Sequence, residues 1–195
     1  MMDSLLKQKI IHSAKHLWDE GRLLEAGMIL FERIPLPFRP SWGADILAFA
    51  SQHISDITQI QDVIAFARTP SEWAETTSKD KGKKAHNFFD SVRLLTLDEE
   101  RKDSKDDKFY NLLLLAENVA KVTYNAYGYS APFDHDAGWW IIAILKKITD
   151  LVNETEFSST AWKVLTNEAY IELETPTRCN PSCPTCLWLQ TFEIK

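Results

Sequence analysis

Apolar residues recur at three- and four-residue intervals along most of this chain. That spacing lines one face of an α-helix against a core. Between Ser4 and Glu20, the residues Leu5, Ile10, Ala14, Leu17 and Trp18 share a face, and Gly21 suits the position just past a helix end. Arg22 to Ile34 repeats the pattern with Leu23, Ala26, Leu30 and Phe31, and Pro35 stops it. A third helix, from Pro40 through Ala50, carries Trp42, Ile46, Leu47, Phe49 and Ala50. A fourth, capped by Ser55 or Asp56, carries Ile57, Ile60, Val63, Ile64 and Ala67. A fifth opens on Thr69-Pro70-Ser71-Glu72, with Thr69 at the N-cap, Pro70 at N1 and Glu72 at N3. The lysine-rich stretch 79–84 is expected to interrupt it before Phe88, Phe89, Val92 and Leu95 resume the pattern between Ala85 and Leu97.

Asp98 to Asp107 is almost wholly charged, with mixed sign, and reads as a solvated loop or a locally disordered link. A long helix follows from Lys108 to Ala126, then an aromatic loop from Tyr127 to Asp136, then a helix from Ala137 to Asn153. The first half of that helix is apolar nearly all round, as expected of a buried central helix. A last helix, Ser158 to Ala169, carries Ala161, Trp162 and Leu165. Beyond it, Tyr170 to Thr175 and Leu187 to Ile194 alternate apolar and polar, which suits two short strands. The expected fold is all-α: a single helical domain, residues 1–169, of about seven to nine helices at ordinary helix lengths. A small irregular or two-stranded C-terminal appendage, residues 170–195, completes it.

Composition narrows the class. At 195 residues, 45% apolar and 26% charged, the chain can bury a core without covalent staples. A net charge of −6 argues against a nucleic-acid partner, which calls for a basic face. The first residues, Met1 to Lys7, show no secretory signal pattern, and the apolar run Ala137 to Leu145 is too short to cross a bilayer. Three cysteines without such a signal fit a reducing compartment, so a cytoplasmic protein with no membrane association is expected.

Those cysteines form the sharpest chemical feature, Cys179-x3-Cys183-x2-Cys186. Thiolates at this spacing can hold three corners of a zinc tetrahedron or three irons of a cubane. They can equally form a disulfide on oxidation, or stay as packed free thiols. The string from Ile171 to Cys186 resembles the first strand and cluster loop of radical S-adenosylmethionine enzymes. That resemblance implies iron–sulfur ligation by Cys179, Cys183 and Cys186, with the cofactor on the open iron. It departs from the family in having Thr185 at an often aromatic position. Only nine residues follow Cys186, so no barrel is expected. A zinc reading needs a fourth ligand, from one of the five histidines or from a partner. Elsewhere, Ala14, Leu17, Gly21, Leu23, Ala26 and Leu30 give the helix pair at about 10–35 a pattern that resembles one tetratricopeptide unit, with no second copy at that period.

The loop before the 137–153 helix offers a second candidate. Asp134, His135 and Asp136 form an acid–base or metal-binding group beside Tyr127, Tyr129 and Trp139, and aromatic walls with few polar groups suit a ligand pocket. Asp134 or Asp136 as an N-cap explains the same acids without a ligand. His12 and His16 share a helix face, but Ser13 stands where a zinc-protease helix has glutamate. Lysines 79, 81, 83 and 84, with Arg93 and nearby Phe88 and Phe89, could meet phosphate or form a solvated turn. No phosphate-binding glycine loop, nucleophile elbow or dinucleotide fingerprint is present in the sequence. The expectation is therefore a non-catalytic protein-interaction or accessory module with a protein partner. The alternatives are a zinc, iron–sulfur or thiol redox module at the cysteines, and an enzyme using the Asp134-His135-Asp136 loop.

Overall fold

A computed structural model of the chain describes residues 2–68, 79–126 and 136–171. Among these, eight α-helices run in order: α1 (Met2–Asp19), α2 (Leu23–Phe31), α3 (Arg39–Ile54), α4 (Thr58–Ala67), α5 (Lys79–Glu100), α6 (Asp107–Ala126), α7 (Asp136–Val152) and α8 (Thr155–Leu165). A short 3-10 turn, Leu36–Phe38, precedes α3. No strand occurs among the described residues, and the fold is all-α. None of the described helices is long and apolar enough to cross a membrane.

The α1–α2 hairpin closes as its sequence predicts. Gly21 takes φ +75°. Its N–H donates to Trp18 O at 3.2 Å, and Arg22 N–H donates to Leu17 O at 2.8 Å. This is the paired bonding of a helix stop with a left-handed residue, a conformation that costs little only without a Cβ. α2 has nine residues against eighteen in α1, so it covers about half of its partner. Leu5, expected on the buried face, is accordingly 61% exposed.

α6 is the hub and packs against α3, α4, α5 and α7. α7 joins it to α2 and α8. A single cluster of buried apolar side chains runs through all of this, including Trp18, Phe31, Trp42, Ile64, Val92, Leu112, Val119, Ile141 and Leu165. Two glycines let α2 and α7 cross closely. A Cβ on Gly27 would sit 3.1 Å from Trp139 Cα, and a Cβ on Gly138 would fall onto the Phe31 ring.

Several boundaries differ from the pattern, among them α8, which runs Thr155–Leu165 rather than from Ser158 to Ala169. The lysine-rich stretch is the first turns of α5, not an interruption. Lysine is a good helix former, Asp80 favours the positive helix start, and Lys84 Nζ lies 5.3 Å from the Phe66 ring centre. α5 also continues through Asp98-Glu99-Glu100, because Glu99 turns inward and is 3% exposed. At α4 neither Ser55 nor Asp56 caps: the helix starts at Thr58 without a side-chain cap, and Asp56 Oδ1 accepts from Gln61 Nε2. The start expected at Thr69-Pro70-Ser71-Glu72 lies outside the described residues.

The described chain ends against the helical body. Trp42 Nε1 donates to Leu165 O at 3.0 Å, and Ile171 is buried. The Tyr170 hydroxyl donates to Asp45 Oδ2 at 2.7 Å. Burial, with that bond to Asp45, pushes the phenol up to about 12.

Candidate functional site

Seven of the residues singled out in the sequence lie outside the described part: Tyr127, Tyr129, Asp134, His135, Cys179, Cys183 and Cys186. Asp136 is the first described residue of α7. Trp139 is half-buried, and its Nε1 donates to Glu32 Oε1 at 3.3 Å. Glu32 Oε2 accepts from Arg39 Nη2 at 3.3 Å, and Arg39 Nε donates to Ile34 O at 2.9 Å. The Arg39 guanidinium also lies over the Phe31 ring, 4.2 Å from its centre. This buried ion pair is satisfied by extra hydrogen bonds, the condition under which such pairs are tolerated. It fastens α7 to the end of α2 and the start of α3.

His16 Nε2 lies 3.2 Å from Glu20 Oε1 on an exposed face, and His12 is also exposed. Among the described residues no three His, Cys, Asp or Glu side chains gather as a metal cluster.

The feature with the makeup of a site is a groove between α5, α6 and α7. It encloses about 800 Å³ and is reached by Leu23 of α2. That volume falls in the usual range for binding pockets. Helix geometry assembles it. On α6, Asn111, Leu114, Glu117, Asn118 and Lys121 recur every three or four residues and so form one stripe. On α5, Phe89 and Arg93 are one turn apart. On α7, Trp140, Ala143, Ile144 and Lys147 repeat the same spacing. Leu23, Phe89, Leu114, Ala143 and Ile144 make the apolar walls.

Trp140 stands at this groove and is 52% exposed, so α7 is not buried all round in its first half as its composition suggested. The reason is register. Trp139 and Trp140 are about 100° apart on the helix. Seating Trp139 against α2 turns Trp140 towards the polar side shared with Lys147.

The groove floor is polar. Arg93 Nη1 donates to Glu117 Oε2 at 3.2 Å, and Glu117 is 5% exposed. The sequence places Arg93 and Phe89 beside the lysines at 79–84, as a phosphate contact or a solvated turn. The structure instead points Arg93 at a buried carboxylate. Glu117, Asn111 and Trp140 also line the groove, and no motif in the sequence picks them out. Their signals were an acid inside the apolar run Leu112 to Ala120, and a tryptophan seven residues before a lysine on an amphipathic helix.

A shallower groove of about 550 Å³ lies where α1, α7 and α8 meet, between Trp18, Trp162, Asp150 and Ser158. Trp18 and Trp162 pack there with tilted rings whose centres are 5.4 Å apart, and Lys15 Nζ lies 5.5 Å from the Trp162 ring centre. Its aromatic groups are already occupied with one another.

Compared with protein-family models, with curated proteins and with solved structures, the chain matches none.

Proposed function

We propose that this chain is a non-catalytic binding module, an interaction or accessory protein, whose α5–α6–α7 groove receives an apolar anchor from a partner protein. The observation that carries the reading is Trp140, half-exposed at the mouth of an apolar groove of ligand-binding size. A tryptophan in water at such a place gains a large apolar contact when a partner covers it. Tryptophan and arginine are the residues that dominate binding energy at protein interfaces, and Trp140 and Arg93 both line this groove. The walls are aliphatic and aromatic with a few polar groups, which supports recognition by shape and a small number of directed bonds.

Trp140→Ala tests the reading, since an exposed side chain can be removed with a stability change within about 0.5 kcal/mol. Wild type and variant are used to co-purify partners from the native host, alongside a control changed in the α1–α7–α8 groove, Ser159→Ala. The expected outcome is one stoichiometric partner with wild type and control, reduced about ten-fold with Trp140→Ala, as befits a hot-spot residue. Equal recovery by all three overturns the assignment of the groove.

A further inference from the structure

Trp140 and Lys147 stand seven residues apart on one stripe of α7, and both line the α5–α6–α7 groove. Trp140 is 52% exposed, and Lys147 is exposed as well. Among the described residues, no hydrogen bond engages either side chain and no carboxylate pairs with the Lys147 ammonium. Seven residues are about 10 Å of helix rise, so the two side chains do not meet within one chain. They are nonetheless complementary, because an ammonium is attracted to the face of a tryptophan ring.

A two-fold axis brings them together. The midpoint of the stripe falls between Ala143 and Ile144, which also line the groove. When a second α7 packs antiparallel across that midpoint, position 140 of each copy comes opposite position 147 of the other. Ala143 then faces Ile144, and the contact between Trp140 and Lys147 is made twice. The apolar wall of Leu23, Ala143 and Ile144 gives each incoming indole a surface to cover. The projecting side chain and the surface that receives it thus lie on one face, which is the requirement of a two-fold contact.

Charge favours the same face. The chain carries −6, so two copies repel one another at long range. The two acids lining the groove, Glu117 and Asp150, are already paired with Arg93 and Lys146. Meeting there sets no unpaired carboxylate against another, and Lys147 offers its charge to an aromatic face.

Resting on the binding role proposed for this groove, we infer that its occupant is a second copy of this chain, with the two α7 helices antiparallel about a two-fold axis between Ala143 and Ile144. Trp140 of one copy lies over Lys147 of the other.

Sedimentation velocity on the full chain, over a dilution series, tests this. Reductant is present to exclude disulfides through Cys179, Cys183 and Cys186. Wild type is expected to show a reversible monomer–dimer equilibrium. Each substitution counts twice at a two-fold, so Trp140→Ala is expected to raise the dissociation constant about 100-fold. Lys147→Glu is expected to raise it about ten-fold, whereas Lys147→Arg stays close to wild type because a guanidinium also binds an aromatic face. Leu94 is 64% exposed outside the groove, and Leu94→Ala is expected to change nothing. A wild type that stays monomeric at the highest concentration overturns the second copy as occupant. The groove then remains open to a different protein, and the co-purification with Trp140→Ala decides that separately. Dimers that persist unweakened in Trp140→Ala or in Lys147→Glu overturn the pairing, and assemblies larger than a dimer overturn the two-fold axis.

Discussion

Single positions in this protein are held by contact distance as much as by residue type. Gly138 is the clearest case. In an exposed helix, alanine is favoured over glycine by about 1 kcal/mol. Here the added Cβ meets the Phe31 ring, which is 2% exposed and locked beneath the Arg39 guanidinium. Crowding outweighs propensity when the neighbour cannot move. Gly138→Ala is expected to destabilise the fold by about 1–3 kcal/mol, read as a lower denaturant midpoint with unchanged slope. A neutral or stabilising result would mean that α2 and α7 are not packed this closely. The apolar side of this contact was legible, since Phe31 sits on the predicted face of α2. The close crossing was not, because the sequence of α7 does not say which helix lies against Gly138.

At the scale of elements, the turn between α5 and α6 shows how a charged stretch acquires structure. Asp98 to Asp107 carries the composition of a solvated loop. Glu99 nevertheless folds back over its own turn, accepting from Lys102 Nζ and from Asp106 N–H, the latter at 3.1 Å. Asp106 in turn caps α6, with Oδ1 accepting from Lys108 N–H at 2.9 Å and Phe109 N–H at 3.1 Å. The bond to Lys102, then the Asp106 amide, hold the Glu99 carboxyl below its ordinary 4.5. A carboxyl lowered by folding stabilises the native state above that ordinary value, and the contribution fades as pH falls through the folded value. Glu99→Gln is therefore expected to be less stable than wild type at neutral pH, with the difference shrinking as pH drops below 4.5. Denaturant titrations across that range check it, and a gap that stays constant with pH would refute the assignment. Helix periodicity shows where the charges face water. It carries no information about a carboxylate bonding to an amide seven residues on.

At the scale of the molecule, α1 to α8 share one core among the described residues, and hydrogen bonds tie early helices to the end of α8. Trp42 on α3 is fully buried, packs 5.6 Å from Phe31, and bonds to Leu165 O at the end of α8. Lys7 on α1 reaches Glu168 O at 3.3 Å. With such links across sequence, the described helices are expected to unfold as one cooperative unit. Trp42→Phe leaves the Leu165 carbonyl without its donor and opens a void, at a cost of about 2–3 kcal/mol. Thermal unfolding followed by far-UV circular dichroism and by tryptophan fluorescence should show one coincident transition, shifted down in the variant. Two separated transitions, with only the α8 signal lowered, would show that the core is divided.

The all-α class, every helix but α5 to within about four residues at either end, and the buried faces of α3 and α4 follow from periodicity alone. Spacing along a helix is a local property, and burial of a contiguous apolar stripe is its direct consequence. The α5–α6–α7 groove could not be read this way. Its walls come from residues 23, 89–93, 111–121 and 140–150, which no spacing rule joins. Its floor depends on which oxygen of Glu117 faces Arg93, and its mouth on the turn of α7 that hides Trp139 and exposes Trp140. These are matters of packing between helices, and there the free energy of a contact depends on partners far away in sequence.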